Sequence, residues 1–346
     1  MRKLMILMSI FALLVLPVNA TDITAPEVPQ SGEQYMPEDT ESFGEGLWYI
    51  IKSAISKLQP ELAAAAQVCC SLLALGIFEN ILGNLSSKSQ GTVRLCVNLA
   101  VGIILITPAN TLINLGIQTV EEITEYGKLL LPVMTAGMAA QGGVTASAAL
   151  YTATAMFNTI LSSLLTGCII PLVYIYIAVA IAGSAMQSLL LENISKFVKW
   201  IMTWGLKIVL YLFTGYIGIT GVVSGTTDAA AVKAAKLAIS GTVPVVGSIL
   251  SDASESILVS AGIMKNAAGI YGLLAILSIL IGPFLKIGVQ YVMLKFTTAV
   301  NSIFSQKETV GLIQKFADVM GLLLGMTGTV SLLLLISTVC FMKGIS

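Results

Sequence analysis

The feature that most constrains this chain is an uninterrupted run of uncharged residues in its middle. Residues 129–191 form 63 consecutive positions without Asp, Glu, Lys or Arg. A helix needs about 20 apolar residues to cross a bilayer, so this run is long enough for several crossings. Composition agrees, because 56% of residues are hydrophobic, 10% are charged and the mean hydropathy is +0.92. The sequence therefore predicts an all-α, polytopic membrane protein.

The polar residues exclude several classes of function. Eighteen basic and eighteen acidic residues give no net charge, which argues against a nucleic-acid partner. The chain has no His, so imidazole catalysis and His-ligated metal sites are excluded. Its five cysteines lack metal-ligand spacing, and no P-loop or dinucleotide-binding glycine motif is present. We predict no catalytic residue, no cofactor and no metal, so any ATP must be hydrolysed by another protein.

The first 20 residues have the three parts of a secretory signal peptide. Arg2 and Lys3 precede an uncharged apolar run, and residues 18–20 form a small-x-small step. We expect cleavage after Ala20, and an uncleaved first anchor is the alternative. In either case the residues that follow begin on the extracytoplasmic side.

Two further segments precede the first predicted span. Residues 21–46 contain seven acids and three prolines but no base, a composition that predicts a disordered external leader. In residues 47–60, apolar side chains recur at helical spacing beside Trp48 and Tyr49. This pattern is typical of an amphipathic helix lying in the membrane interface.

Beyond the leader, six uncharged windows approach or exceed the length of a membrane span. A small-residue segment, 131–163, is interpreted either as a re-entrant hairpin or as two short spans. With that segment entering and leaving on one face, nine Lys and Arg residues fall in internal connections and four in external ones, as the positive-inside rule requires. The six windows are 62–78, 95–120, 164–187, 208–227, 266–285 and 319–342.

Two pairs of prolines indicate an internal repeat. Pro132 and Pro244 are 112 residues apart, and the prolines within two predicted spans, Pro171 and Pro283, have the same separation. The order of span, charged stretch, small-residue hairpin and proline-bearing span also recurs. After a first span and internal loop at 62–94, the predicted units are 95–205 and 206–342, related as a parallel repeat. The fold prediction is therefore about six transmembrane helices plus two hairpins.

The tips of the two hairpins contain the candidate pathway residues. Pro132 precedes a first tip, and Pro244 precedes a second one that contains two acids flanked by apolar runs. Irregular backbone at membrane depth is tolerated only where protein or water covers it, so two tips near an axis would form a polar path. The alternative places the second tip in external water. The candidate tip residues are Gln141, Gly142, Gly143, Asp252, Ser254 and Glu255.

Several motifs resemble the stage III sporulation protein AE family. The resemblance rests on SGTVPVVGSILSDASES at 240–256, GIYG at 269–272, GPFLK at 282–286 and LPVMT at 131–135. It extends from about residue 62 to the C-terminus. The family implies a polytopic membrane subunit of a multi-protein complex between mother cell and forespore. No catalytic residue is carried over with it.

The resemblance also implies partners and a location. Family members look permease-like and serve the channel or transport role of their complex, with an ATPase supplied in trans. The chain would contact membrane lipid and other subunits, as a multi-pass protein of the mother-cell membrane around the forespore with its N-terminal segment extracytoplasmic. Two alternatives remain open: a self-sufficient, ion-coupled secondary transporter of a small solute, and a structural membrane scaffold.

Overall fold

A computed structural model describes residues 26–37, 42–85, 90–140, 144–219 and 267–343. Every element of regular structure in these ranges is a helix, which confirms the all-α prediction for this part of the chain. The helices are α1 (Gln30–Glu33), α2 (Phe43–Ser56), α3 (Gln59–Leu85), α4 (Gln90–Ala140), α5 (Val144–Leu164), α6 (Ile170–Met186), α7 (Leu189–Ile219), α8 (Ala267–Asn301) and α9 (Lys307–Lys343); a π-helical segment, Leu165–Ile169, joins α5 to α6. The predicted signal peptide, residues 1–20, lies outside the described residues.

Five helical stretches within the described residues are long and apolar enough to cross a membrane. These lengths fit a multi-pass membrane protein. The predicted span at 208–227 lies only partly inside the described residues. The five stretches are Gln59–Leu82, Gln90–Gly137, Ser147–Met186, Gly269–Asn301 and Lys307–Met342.

Helix α9 is the centre of the bundle. It packs against α4, α5, α6, α7 and α8. In its most apolar stretch 78% of the residues are buried, whereas the corresponding fraction in α3 is 22%. Burial on all sides explains why α9 is apolar around nearly its whole circumference, and α3 is a peripheral helix with most of its apolar surface exposed.

Helix α4 continues through charged residues that the sequence assigned to an external stretch after the span. It contains 51 residues, about 77 Å at 1.5 Å per residue, and a bilayer core is only about 30 Å thick. Glu121 and Glu125 therefore lie on a helix that extends well past one bilayer thickness. The end of α4 packs against α5; these are the two arms of the first predicted hairpin, whose tip lies outside the described residues.

Helix α5, the second arm of that hairpin, is continuous with the next predicted span. Residues 144–186 form one helical run, interrupted only by the π-helical turn at Leu165–Ile169. Pro171 lies in the first turn of α6. A proline ring removes a backbone donor and displaces the preceding turn, and a π-helical turn accommodates such a defect without ending the helix. The sequence correctly indicated a span here but not its fusion with the hairpin.

Part of the acidic leader is ordered, which differs from the predicted disorder. Residues 30–33 form α1, which packs against α8. Tyr35 is 5% exposed and lies where Gly282 of α8 leaves room for its ring. The Lys57 ammonium lies 4.7 Å from the centroid of that ring. The acidic composition predicted disorder, but one buried aromatic side chain and one cation–π contact are enough to order this short segment.

The end of α3, the start of α4 and two helix turns meet at one end of the bundle. Near the end of α3, the Asn80 side-chain amide donates to the Phe304 carbonyl in the α8–α9 turn at 2.7 Å. Near the start of α4, the Asn98 amide donates to the Ser184 carbonyl close to the α6–α7 turn at 3.1 Å. The positive-inside count assigns these connections to one side of the membrane, which stays a prediction. Lys286, one of the residues it counted as internal, lies instead beside Glu61 at the other end of α3.

Candidate functional site

The most highly charged contact in the bundle is centred on Asp318 of α9. Its Oδ2 atom lies 2.6 Å from the Lys199 Nζ atom of α7, and the hydroxyl of the buried Tyr176 of α6 lies 3.5 Å from the same oxygen. Its Oδ1 atom accepts a hydrogen bond from the Gln314 amide at 2.8 Å and lies 4.0 Å from the Lys295 Nζ atom of α8. Four helices thus contribute polar groups to one carboxylate.

Further charges adjoin this carboxylate, and we call Glu192, Lys196, Lys199, Lys295, Lys315 and Asp318 the Asp318 cluster. Lys196 pairs with Glu192 at 2.7 Å along α7. This hydrogen bond holds the pKa of Glu192 below its usual value. Lys315 of α9 interacts electrostatically with Glu192, Lys196 and Asp318. Four lysines against two carboxylates leave two positive charges uncompensated.

The depth of the cluster follows from contacts at the two ends of α3. Near the start of α3, Glu61 pairs with Lys286 of α8 at 2.8 Å. Lys295 follows Lys286 by nine residues along α8, which is about 14 Å. Near the other end of α3, Glu79 contacts Thr309 of α9. Asp318 follows Thr309 by nine residues, again about 14 Å, so Lys295 and Asp318 lie about level with the middle of α3.

A second polar network closes the end of the bundle. Glu79 is 2% exposed. One of its oxygens accepts from the Gln306 backbone amide at 3.3 Å, and the other lies 3.0 Å from the Thr309 hydroxyl. The same hydroxyl lies 3.0 Å from the Asn98 side-chain oxygen. A carboxylate at the first turn of a helix satisfies unpaired amides and the positive end of the helix dipole. Glu79 is therefore an N-terminal cap for α9, supplied by a different helix.

A third polar region lies at the contact of α4, α5 and α9. The Thr154 hydroxyl donates to Ser337 at 2.9 Å, and the Asn158 amide donates to the Thr124 carbonyl at 3.4 Å. The Asn158 side-chain oxygen and the Tyr126 hydroxyl are buried without a hydrogen-bond partner. These groups are neutral, so they offer hydrogen bonding but no charge.

The structure places the three described candidate prolines in separate surroundings. Pro132 lies inside α4 on an exposed face, Pro171 is exposed in the first turn of α6, and Pro283 is buried inside α8. None of the three contributes to the Asp318 cluster. The remaining candidates lie outside the described residues: Gln141, Gly142, Gly143, Pro244, Asp252, Ser254 and Glu255.

The Asp318 cluster was missed by the sequence interpretation. Lys199 and Lys295 were counted only as internal basic residues, and the last span was started at residue 319, one position after Asp318. No specific signal was present, because lysines next to long apolar windows are ordinary at the ends of membrane spans. Their association was not predictable, since Lys199 and Asp318 are 119 residues apart.

Comparison with known proteins identifies the family. The family model for stage III sporulation protein AE matches residues 34–344, most of the chain. The chain belongs to the stage III sporulation protein AE family. Stage III sporulation protein AE of Bacillus subtilis strain 168 is 23% identical over 251 residues, which are 71% of this chain and 62% of that relative. No solved structure matches the chain.

Family membership confirms the resemblance stated from the motifs. It assigns the chain to a sporulation family, and the five apolar helical stretches fit a membrane protein. The match begins at residue 34 and so includes Tyr35 of the ordered leader segment. The chain spans 62% of the length of the curated relative, so that protein's activity as a whole is not transferred to it.

Proposed function

We propose that this chain is the membrane-embedded core subunit of a sporulation channel or secretion-like complex between mother cell and forespore. One observation carries the proposal: Lys295 and Asp318 lie level with the middle of α3, a candidate span, and the lysines that contact this carboxylate are open to the surface, Lys199 being 49% exposed and Lys295 40% exposed. Inserting a Lys at the centre of a membrane helix costs about 3 kcal/mol. A surface of this kind requires water or another subunit beside it, which a conduit supplies.

The proposal includes partners. The complex would take its ATPase from another subunit, because the sequence of this chain contains no P-loop. Family membership supports assembly with other sporulation proteins. The proposed location is the mother-cell membrane around the forespore, with the N-terminal segment extracytoplasmic. Lipid contacts the peripheral helices, of which α3 is the most exposed.

Affinity purification from sporulating cells tests the proposal. The full chain, tagged and produced at its native level, is extracted in mild detergent during forespore development. We expect other sporulation membrane proteins and an ATPase to co-purify, and we expect crosslinks from Lys199→Cys to one of them. A chain that purifies alone from functional cells, with no crosslink at this position, contradicts the proposal.

The transporter alternative is favoured by one feature of the same cluster. A single carboxylate at span depth contacts lysines from two helices, α7 and α8, and such carboxylates act in ion-coupled transport. This alternative predicts a saturable, ion-dependent solute flux in liposomes that contain this chain alone, which Asp318→Asn reduces. Absence of such a flux would contradict the transporter alternative. The scaffold alternative predicts that Asp318→Asn and Lys199→Gln leave spore formation intact.

A further inference from the structure

The Asp318 cluster lies open on the outer surface of this chain. The Lys196 side chain is 68% exposed, Lys199 is 49% exposed and Lys295 is 40% exposed, whereas Asp318 beneath them is 18% exposed. The lysines on α7 and α8 therefore stand over a carboxylate on α9. Polar hydroxyl and amide groups of Tyr176 and Gln314 complete the floor of this surface.

An exposed apolar side chain next to the cluster shows the contrast. Ile175 of α6 is 49% exposed. It adjoins Tyr176, whose hydroxyl contacts Asp318. An isoleucine there suits lipid chains, and an ammonium group does not. The cluster thus adjoins an exposed position of opposite solvent preference.

Charge decides what solute the surface favours. Four lysines face two carboxylates within the cluster, and the neighbouring Lys286 is paired with Glu61. Two positive charges therefore remain uncompensated. In a water-filled passage with apolar walls, such an excess concentrates anions and depletes cations.

We propose that the Asp318 cluster lines a water-filled passage and gives it a preference for anionic solutes. The inference rests on the proposed conduit function and assigns the passage to one face of the bundle, between α7 and α8 over α9. Lys199, Lys295 and Lys315 supply the attracting charge. Asp318 holds the first two lysines in place while it offsets part of their charge.

Cysteine labelling tests the proposal in membranes from cells that produce the full chain. In a background without the native cysteines, Lys199→Cys is compared with the matched control Ile175→Cys, using a membrane-impermeant thiosulfonate. We expect Lys199→Cys to react and Ile175→Cys to remain unmodified. Lys295→Cys repeats the test from α8 in case the first variant fails to fold. Equal protection of both lysine positions, in folded protein, overturns the water-filled passage.

Reagent charge tests the anion preference at a position that is neutral in the native chain. At Gln314→Cys we expect an anionic thiosulfonate to react about 10-fold faster than a cationic one of equal size, after correction for their intrinsic rates. Lys315→Glu is expected to abolish or reverse this ratio. A ratio near one, or one unchanged by Lys315→Glu, overturns the anion preference.

The outcome separates this inference from the proposed function. Labelling is measured both in sporulating cells and in cells that produce this chain without other sporulation proteins. If the lysine positions react but no partner co-purifies, the water-filled passage is supported and the proposed complex is contradicted. If partners co-purify but the lysine positions are protected, the proposed complex is supported and a passage on this face is contradicted.

Discussion

The Lys199 ammonium lies 2.6 Å from an oxygen of Asp318, although 119 residues separate the two along the chain. The pair joins α7 to the central helix α9. Because Lys295 of α8 lies 4.0 Å from the other oxygen of the same carboxylate, Asp318 also connects α8 to this contact. One side chain on the central helix thereby contacts two outer helices.

Removal of either partner of this pair is expected to destabilise the bundle. Asp318→Asn or Lys199→Gln should each lower the free energy of unfolding by about 1–3 kcal/mol, since a charge-assisted hydrogen bond is lost and its partner is left unpaired. Denaturant unfolding in detergent micelles measures the change. Lys128→Gln, at an exposed position of α4, is the control.

A variant with both substitutions tests whether Lys199 and Asp318 interact directly. If Lys199 and Asp318 interact directly, the variant with both substitutions should lose less stability than the two single variants together, with a coupling free energy of about 1 kcal/mol. Strictly additive losses would contradict a direct interaction.

Glu79 offers a second test, because it caps α9 from another helix. Glu79→Gln keeps the size of the side chain but removes the charge at the helix terminus. We expect a loss of about 1–2 kcal/mol in the free energy of unfolding, together with faster hydrogen exchange of the Gln306 amide. Glu121→Gln, at an exposed position of α4, should change neither quantity. Unchanged exchange at Gln306 would exclude the capping role.

The apolar windows of the sequence were sufficient to locate the helices of the bundle. Hydropathy over about 20 residues reports local chain chemistry, and 62–78, 95–120 and 319–342 each lie within a helix of the structure. The prediction was weaker where helices continue past the apolar window. Glu121 does not end α4, because charged residues are compatible with a helix that leaves the bilayer.

The polar contacts were not predictable in the same way. The cap of α9 is an example, because it is supplied by a different helix. In the structure the cap of α9 comes from Glu79, and the Ser305 hydroxyl donates to Asn301 at 3.2 Å. Such pairings depend on how helices pack in three dimensions. A single sequence contains the residue types but not their long-range partners.

Close packing of α3 against the α8–α9 turn depends on Gly76. A β-carbon at this position would overlap the side chains of Asn301, Ser305 and Phe304. Gly76→Ala is therefore expected to lower stability by about 1–3 kcal/mol through overpacking. Gly91→Ala is a matched control, because a β-carbon there meets no atom within 4 Å. That substitution lies in the first turn of α4 at an exposed position and should change stability by less than about 0.5 kcal/mol. Equal effects in a thermal unfolding assay would refute this account of Gly76.

The ordered leader segment is expected to detach at alkaline pH. Burial raises the pKa of the Tyr35 phenol above its ordinary value, and this effect exceeds the opposing one of the nearby Lys286 charge. A group whose pKa is higher in the packed state favours that state below its ordinary pKa, about 10, and this contribution is lost as the pH rises through the raised value. Limited proteolysis of residues 26–37 should therefore accelerate above about pH 10. Tyr35→Phe should remove the pH dependence while keeping the ring packed against Gly282. If the phenylalanine variant shows the same alkaline acceleration, another group is responsible for it.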